Sequence, residues 1–272
     1  MKSKISIIPY VVWMIIFIVV PTALVFIFAF TDPNGHFTFN NIINVGNYSS
    51  VFLRSIWLGA VATFICLIIG YPFSYIISRM NLSKQGILIM LIMLPMWMNF
   101  LLRTYAWMTL LENNGIINKF LVMLGFHPID MINTQGAVVI GMIYNFLPYM
   151  ILPIYSVMSK IDKRIIEAAK DLGAGKRKVF SKIILPLSMP GVISGVTMVF
   201  VPAVSTFIIS KMLGGGANLL IGDLIDMQFL GSAYNPNLGS AISLVLMILI
   251  IICLGIMNQF DNNGDENRGI MV

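Results

Sequence analysis

The chain has 272 residues, 58% of them hydrophobic and only 10% charged, with a mean hydropathy of +0.90. That composition leaves too little polar surface for a soluble domain and places the chain in a membrane. The net charge of +6 comes without a nucleic-acid recognition motif and is explained by membrane topology, so no nucleic-acid partner is expected.

A helix needs about 20 mostly apolar residues to cross the hydrocarbon core. Runs of that kind lie near 8–30, 55–78, 86–111, 136–157, 183–210 and 238–258. They lack strand alternation, and lipid leaves backbone groups to satisfy one another, so they predict helices and not a barrel. The fold class is all-α integral membrane, with six transmembrane helices. Lys2 and Lys4 imitate the basic start of a signal peptide. The following run is too long for one and has no small-residue cleavage site after Phe30, so it stays as the first helix, kinked at Pro21. An extracytoplasmic loop completes residues 1–54. Within it Asp32-Pro33-Asn34-Gly35 is turn chemistry, and Asn47-Tyr48-Ser49-Ser50 opens a short interfacial helix.

A short basic loop, 79–85, makes the second and third spans antiparallel neighbours. The third span carries Trp97, Asn99, Arg103 and Tyr105. An Arg inside a span costs roughly 2.5–3.5 kcal/mol on insertion scales, so Arg103 is expected to pair with Glu112 or to snorkel outward. Asn99 is expected to hydrogen-bond across helices. His36 and His127 read as loop residues; with no carboxylate or Cys at ligand spacing, no metal site is expected. In the fourth span Asn145, Pro148 and Pro153 predict a bent helix whose loosened backbone lines a cavity. Cys66 and Cys253 read as small apolar residues, and the 20 methionines as flexible filler between helices.

The segment 159–182 is strongly charged and holds Lys160, Lys163, Arg164, Lys170, Lys176, Arg177, Lys178 and Lys182. Basic loops stay in the cytoplasm, so this loop, Arg79, Lys84, Arg268 and both termini are assigned to that side. Asp162 caps a helix predicted from Lys163 to Leu172, with Ile165, Ala169 and Leu172 on one face, and Gly173 is the expected left-handed stop. A second short helical stretch from Lys176 to Ile183 runs into Pro186, placed at the kinked start of the fifth span. The basic run 176–178 alone would also suit anionic lipid headgroups, but the small Ala168-Ala169 and Gly173 favour close approach by a partner protein. Gly173-Ala174-Gly175-Lys176 is not a phosphate loop, because Lys170 and Arg177 occupy the positions that need Gly and Ser/Thr.

Between the last two spans, 211–237 is rich in Gly and Asn and contains Asp223 and Asp226. The polar tail 258–272 is assigned to the cytoplasm.

Glu167-Ala168-Ala169, Gly173 and then Ile183, Leu185 and Pro186 closely resemble the cytoplasmic signature of membrane subunits of ATP-binding-cassette (ABC) importers of the binding-protein-dependent type. The resemblance covers roughly 55–257 and implies a type-1 permease: a five-helix core plus one added N-terminal helix, with a coupling helix within 161–182. Carried over by position, Glu167, Ala168, Ala169 and Gly173 dock an ATPase and Pro186 fixes the exit into the fifth span. It implies that ATP and Mg are bound by a dimer of a partner ATPase, with no cofactor and no catalysis in this chain. It further implies a second, homologous permease (a heterodimer favoured over a homodimer), an extracytoplasmic binding protein and a prokaryotic inner-membrane location.

Leu94-Pro95-Met96-Trp97-Met98-Asn99, Arg103-Thr104-Tyr105, Gly70-Tyr71-Pro72-Phe73 and Asn218-Leu219-Leu220-Ile221-Gly222 resemble, more narrowly, the B-type permeases of spermidine/putrescine importers. That resemblance implies a linear polycation as cargo, which carboxylates and aromatic faces would attract, and so makes Trp97, Asn99, Tyr105, Tyr144, Asp223 and Asp226 the candidates for a substrate path. Permeases for ferric ion and phosphonates share much of this pattern. The rival from a different class is an ion-coupled carrier or channel, which calls for intramembrane acids or regularly spaced arginines.

Overall fold

The computed structural model describes residues 9–216, 218–231 and 233–269. Lys2, Lys4 and residues 270–272 lie outside them. Among the described residues every regular element is helical, apart from an isolated antiparallel bridge between Thr31 and Phe37. Five helices are long and apolar enough to cross a membrane, or six when one sharply bent pair is counted as a span.

Helix α1 (Pro9–Ala29) opens the described chain. A π-turn at Ile15–Val19 immediately precedes Pro21, widening the spiral where proline can neither donate a hydrogen bond nor fit beside the preceding turn. The carbonyls left at the end of α1 are satisfied by two asparagines. Asn237 Nδ2 donates to Phe28 O (3.2 Å) and Thr31 O (2.7 Å), and Asn41 Nδ2 to Ala29 O (3.2 Å) and Thr31 O (2.8 Å). Short helix α2 (Asn40–Val45) passes through a 3-10 turn into α3 (Ser49–Ser78), so the interfacial piece begins earlier than Asn47 and is continuous with the second span.

The third span is not one helix. Helix α4 (Leu82–Trp97) and the following segment, α5 (Phe100–Leu111) with α6 (Ile116–Met123), meet at 90°. Gln85 ties α4 to its neighbours, donating to Met80 O (2.8 Å) and accepting from the Tyr155 hydroxyl (2.8 Å). Helices α7 (Gln135–Met158), α8 (Lys163–Asp171) and α9 (Lys176–Ser205) follow. Pro186 does not start α9. The helix begins at Lys176 and runs through a second π-turn, Phe180–Ile184, directly ahead of that proline. Beyond a break at Thr206–Phe207 come α10 (Ile208–Leu213), α11 (Ile221–Phe229) and α12 (Pro236–Gly269). The last helix therefore runs past 258 into the stretch assigned to a tail.

Two apolar clusters hold the bundle. One joins α3, α7, α9 and α10 through residues such as Leu58, Cys66, Met142, Met150, Ile154, Val199 and Ile209. The other seats α1 on α12 and α11 through Ala29, Ile221, Leu224 and Ile242. Close approach in the first depends on glycine. A Cβ on Gly191 would lie 2.9 Å from Pro153 O and 3.0 Å from Ile154 Cα, and one on Gly195 would lie 2.9 Å from Met150 Sδ and 3.1 Å from its carbonyl. Gly191-Val-Ile-Ser-Gly195 is thus a small-xxx-small contact bringing α9 against α7.

Candidate functional site

The elbow between α7 and α9 is built from local rules. Asp162 accepts the Arg164 N–H at 2.9 Å as N-cap of α8, and Gly173 stops the helix at φ +80°. The Ala174 N–H reaches back to Ala169 O at 3.0 Å and the Gly173 N–H to Lys170 O at 2.8 Å. Ile166, Ala169 and Ala174 pack against the first cluster. Of the predicted apolar face, Ala169 thus turns partly inward, whereas Ile165 and Leu172 are exposed, Leu172 at 89%, and a 100° advance per residue puts Ala168 beside them. Glu167 is exposed, on the opposite side, and shares a cavity wall with Lys163, Ile166 and Lys170. Pro186 is exposed in the first turn after the π-turn.

The break in the third span places several other candidates. Asn99 does not bridge helices; its Oδ1 accepts the Leu101 and Leu102 N–H groups at 2.8 and 3.4 Å and caps α5. Arg103 neither pairs with Glu112 nor snorkels outward. It is 7% exposed, donates from Nη1 to Pro95 O at 2.6 Å, and lies 5.7 and 5.9 Å from the ring centres of Phe100 and Tyr144. The guanidinium thereby fills the role of C-cap for α4, favourable at a helix's negative end, and it already occupies the Tyr144 face. Tyr144 also meets Trp107 edge-on at 5.3 Å. Trp97 and Tyr105 are exposed, at 68% and 52%. Asn145 is buried and donates to Gly141 O at 2.8 Å in its own helix, its Oδ1 buried without a partner.

Asp223 and Asp226 do come together, on α11. Gly222 sets them: a Cβ there would lie 2.5 Å from Ser205 O and 2.6 Å from Thr206 O. With the Ile221 N–H donating to Ser55 Oγ at 2.8 Å, the start of α11 is held against the broken end of α9. Asp223 is 3% exposed; its Oδ2 accepts the Leu220 N–H at 2.8 Å, and its Oδ1 is buried without a partner. Burial raises its carboxyl above the ordinary carboxylate range, against the opposing pull of Ser210, the Leu220 N–H and Lys211. Asp226 is engaged by Lys211 at 2.9 Å, and that hydrogen-bonded carboxylate holds the Lys211 ammonium above its ordinary value. Lys211, Gly216, Leu219, Asp223, Asp226 and Met227 line a recess of about 280 Å³. Sequence reasoning missed Lys211 as a member of this group. The available signal was an opposite charge 15 residues away across a glycine-rich turn.

The sequence profile described as "binding-protein-dependent transport system inner membrane component" matches residues 70–261. The chain is 39% identical over 252 residues to the spermidine/putrescine transport system permease protein PotB of Haemophilus influenzae, covering 89% of this chain and 88% of that one. Two structures of a bacterial ABC transporter for the acidic polysaccharide alginate match with TM-scores of 0.79 and 0.78. The second is in complex with an alginate pentasaccharide-bound periplasmic protein. They are 16% and 15% identical to this chain, cover 96% of it, and are themselves covered to 95% and 94%, a likeness of fold.

Proposed function

The chain belongs to the family of binding-protein-dependent transport system inner membrane components and is a multi-pass permease subunit of an ABC importer, and from that premise we propose that its cargo is a polyamine such as spermidine or putrescine. Family membership displaces the ion-coupled carrier as a reading. The observation carrying the cargo is the recess at Asp223 and Asp226. A buried carboxylate oxygen without a donor is a costly arrangement, and an ammonium group supplies both the missing hydrogen bond and the missing charge. Lys211 already presents such a group to Asp226, so a substrate amine would take over or extend a contact the chain makes internally. Polyamine relatives at the identity given above support the same cargo. A ferric ion would require a richer ligand set, and a phosphonate would be repelled by two carboxylates.

In this reading both termini are cytoplasmic, residues 1–54 are an added helix and loop, 55–257 form the permease core, and 258–272 extend into the cytoplasm. Two copies of a partner ATPase bind ATP and Mg and receive the elbow 161–182. Ala168 and the exposed Ile165 and Leu172 meet the ATPase groove, Gly173 fixes the stop, Ala169 anchors the elbow to the bundle, and Glu167 lies at the edge. A second homologous permease completes the path, and an extracytoplasmic binding protein delivers substrate, as in the periplasmic-protein complex of the alginate transporter. Trp97, Tyr105 and the capped break at Asn99 face that shared path, while Tyr144 acts by holding Arg103.

The test is uptake by the reconstituted complex with its binding protein. Radiolabelled spermidine should accumulate with ATP, and Asp223→Asn should reduce uptake while leaving the complex assembled. Uptake of spermidine unaffected by Asp223→Asn removes the site. ATP hydrolysis stimulated by a binding protein loaded with some other solute, and not with polyamine, removes the cargo.

A further inference from the structure

A second polar cavity lies at the opposite end of α9, away from the aspartate recess. Tyr75, Arg79, Lys163, Ile166, Glu167, Lys170, Lys176, Val179 and Ile184 enclose about 440 Å³ between the end of α3, the elbow helix α8 and the start of α9. Four cations face one carboxylate. Among the described residues Glu167 forms no ion pair with any of them, so the excess charge is not cancelled internally. Arg79 is the fixed member: its guanidinium lies 5.5 Å from the Tyr75 ring centre, and its Nε and Nη2 are buried without a hydrogen-bond partner. Buried guanidinium N–H groups left unpaired are costly, and a planar fork of this kind suits two oxygens of one phosphate.

The placement narrows the ligand. Arg79 caps an apolar helix and Lys176 begins another, so the cavity sits where two spans leave the hydrocarbon, at headgroup depth. Its remaining wall is apolar, from Ile166, Val179 and Ile184. We propose that this cavity binds a phosphate group, held by Arg79 and ringed by Lys163, Lys170 and Lys176, and that anionic phospholipid is its source. Bound there, the phosphate neutralises the inner side of the elbow and braces α8 against α3 and α9, while leaving the Ile165–Leu172 face free.

The test uses the purified complex. Native mass spectrometry after delipidation should show phosphatidylglycerol retained in preference to phosphatidylcholine. Lys170→Gln, an exposed substitution, and Arg79→Gln should each lower retention roughly tenfold, as for loss of one charge-assisted hydrogen bond. Lys160→Gln and Lys182→Gln, on either side of the elbow but not on the cavity wall, should not. Inorganic phosphate that protects the cavity while no lipid is retained would make free phosphate the source and uphold the anion site. Equal loss in the control variants, or equal retention of phosphatidylcholine, would reduce the effect to a diffuse basic surface and overturn it. Failure of both lipid and phosphate to bind the complex, with binding only to permease stripped of its ATPase, would assign the cavity to the protein partner and overturn it too.

Discussion

Alanine at Gly191 and alanine at Gly255 should separate cleanly. Both glycines lie inside long apolar helices, so each substitution carries the same helix-propensity gain, up to about 1 kcal/mol. They differ in what the new methyl group meets. At Gly255 nothing lies within 4 Å, whereas at Gly191 the Cβ falls 2.9 Å from Pro153 O, 3.0 Å from Ile154 Cα and 3.1 Å from Val157 Cβ. Two of those three are backbone atoms, so no rotamer change relieves the contact and α9 must move away from α7 by several tenths of an ångström. Overpacking of this kind costs about 1–3 kcal/mol, and the propensity terms cancel in the difference between the variants. With roughly 2–4 °C per kcal/mol for a chain of this class, Gly191→Ala should melt on the order of 5 °C below Gly255→Ala in detergent. Gly195→Ala should fall between them, since the Met150 sulfur can swing aside but its carbonyl at 3.1 Å cannot. Coincident melting of Gly191→Ala and Gly255→Ala would show that the α7–α9 contact yields, and would refute close packing there.

Three further outcomes follow from the same geometry. Gly173 has open space around it but a φ of +80°, so Gly173→Ala should cost about 1–2 kcal/mol purely through backbone strain; ATPase affinity should fall accordingly, with Gly173→Asn milder, and equal affinities would contradict it. Arg103→Ala should destabilise the complex by about 1–3 kcal/mol through loss of the bond to Pro95 O, read as thermal stability in detergent, and an unchanged melting curve would deny Arg103 its capping role. Burial raises the Asp223 carboxyl above its unfolded-state value, so its contribution to stability is fully present below the unfolded value and lost as pH rises through the folded one. The substrate-free protein should therefore gain stability on acidification through that window; Asp223→Asn should lack this gain, and identical pH profiles would refute the assignment.

Apolar run length places the first, fourth and last spans within a few residues, because the hydrocarbon core imposes the same requirement on any chain that crosses it, while the second and fifth spans begin earlier than their apolar runs. The elbow was equally legible: an N-cap at Asp162 and a left-handed stop at Gly173 are rules of neighbouring residues. The break at Met98–Asn99 was not read, although Pro95 and Asn99 signal it, because the apolar run continues through 86–111 and hydropathy is blind to direction. Arg103 was misread for the same cause. Its partner is a backbone carbonyl at that break, shared with the Met98 N–H, and a search among acidic side chains alone cannot find it. The helical start at Lys176 is legible, but its continuity with the fifth span is masked by Pro186, since the π-turn accommodates the proline. The pairing of Lys211 with Asp226, and the seat of Asp223 on α9, depend on how a glycine-rich turn folds back, which no periodicity encodes.

These contacts describe how a push on the elbow would travel. The inner side of α8 is anchored to the cluster that contains α7 and α9, and the glycine contacts bring those two helices into close backbone contact. At its far end α9 breaks at Thr206, and the carbonyls of Ser205 and Thr206 press on Gly222. Displacing α9 therefore moves the start of α11 and the Asp223 carboxylate with it, and where α3 does not follow, that movement strains the Ile221 bond to Ser55 on α3. Because α3 packs against both α7 and α9, that bond is strained only when α9 shifts relative to α3. Contiguity of this kind supplies a route and not in itself a coupling energy, but it identifies the displacement that matters. A motion that closed the elbow without shifting α9 against α3 would leave the carboxylate where it is.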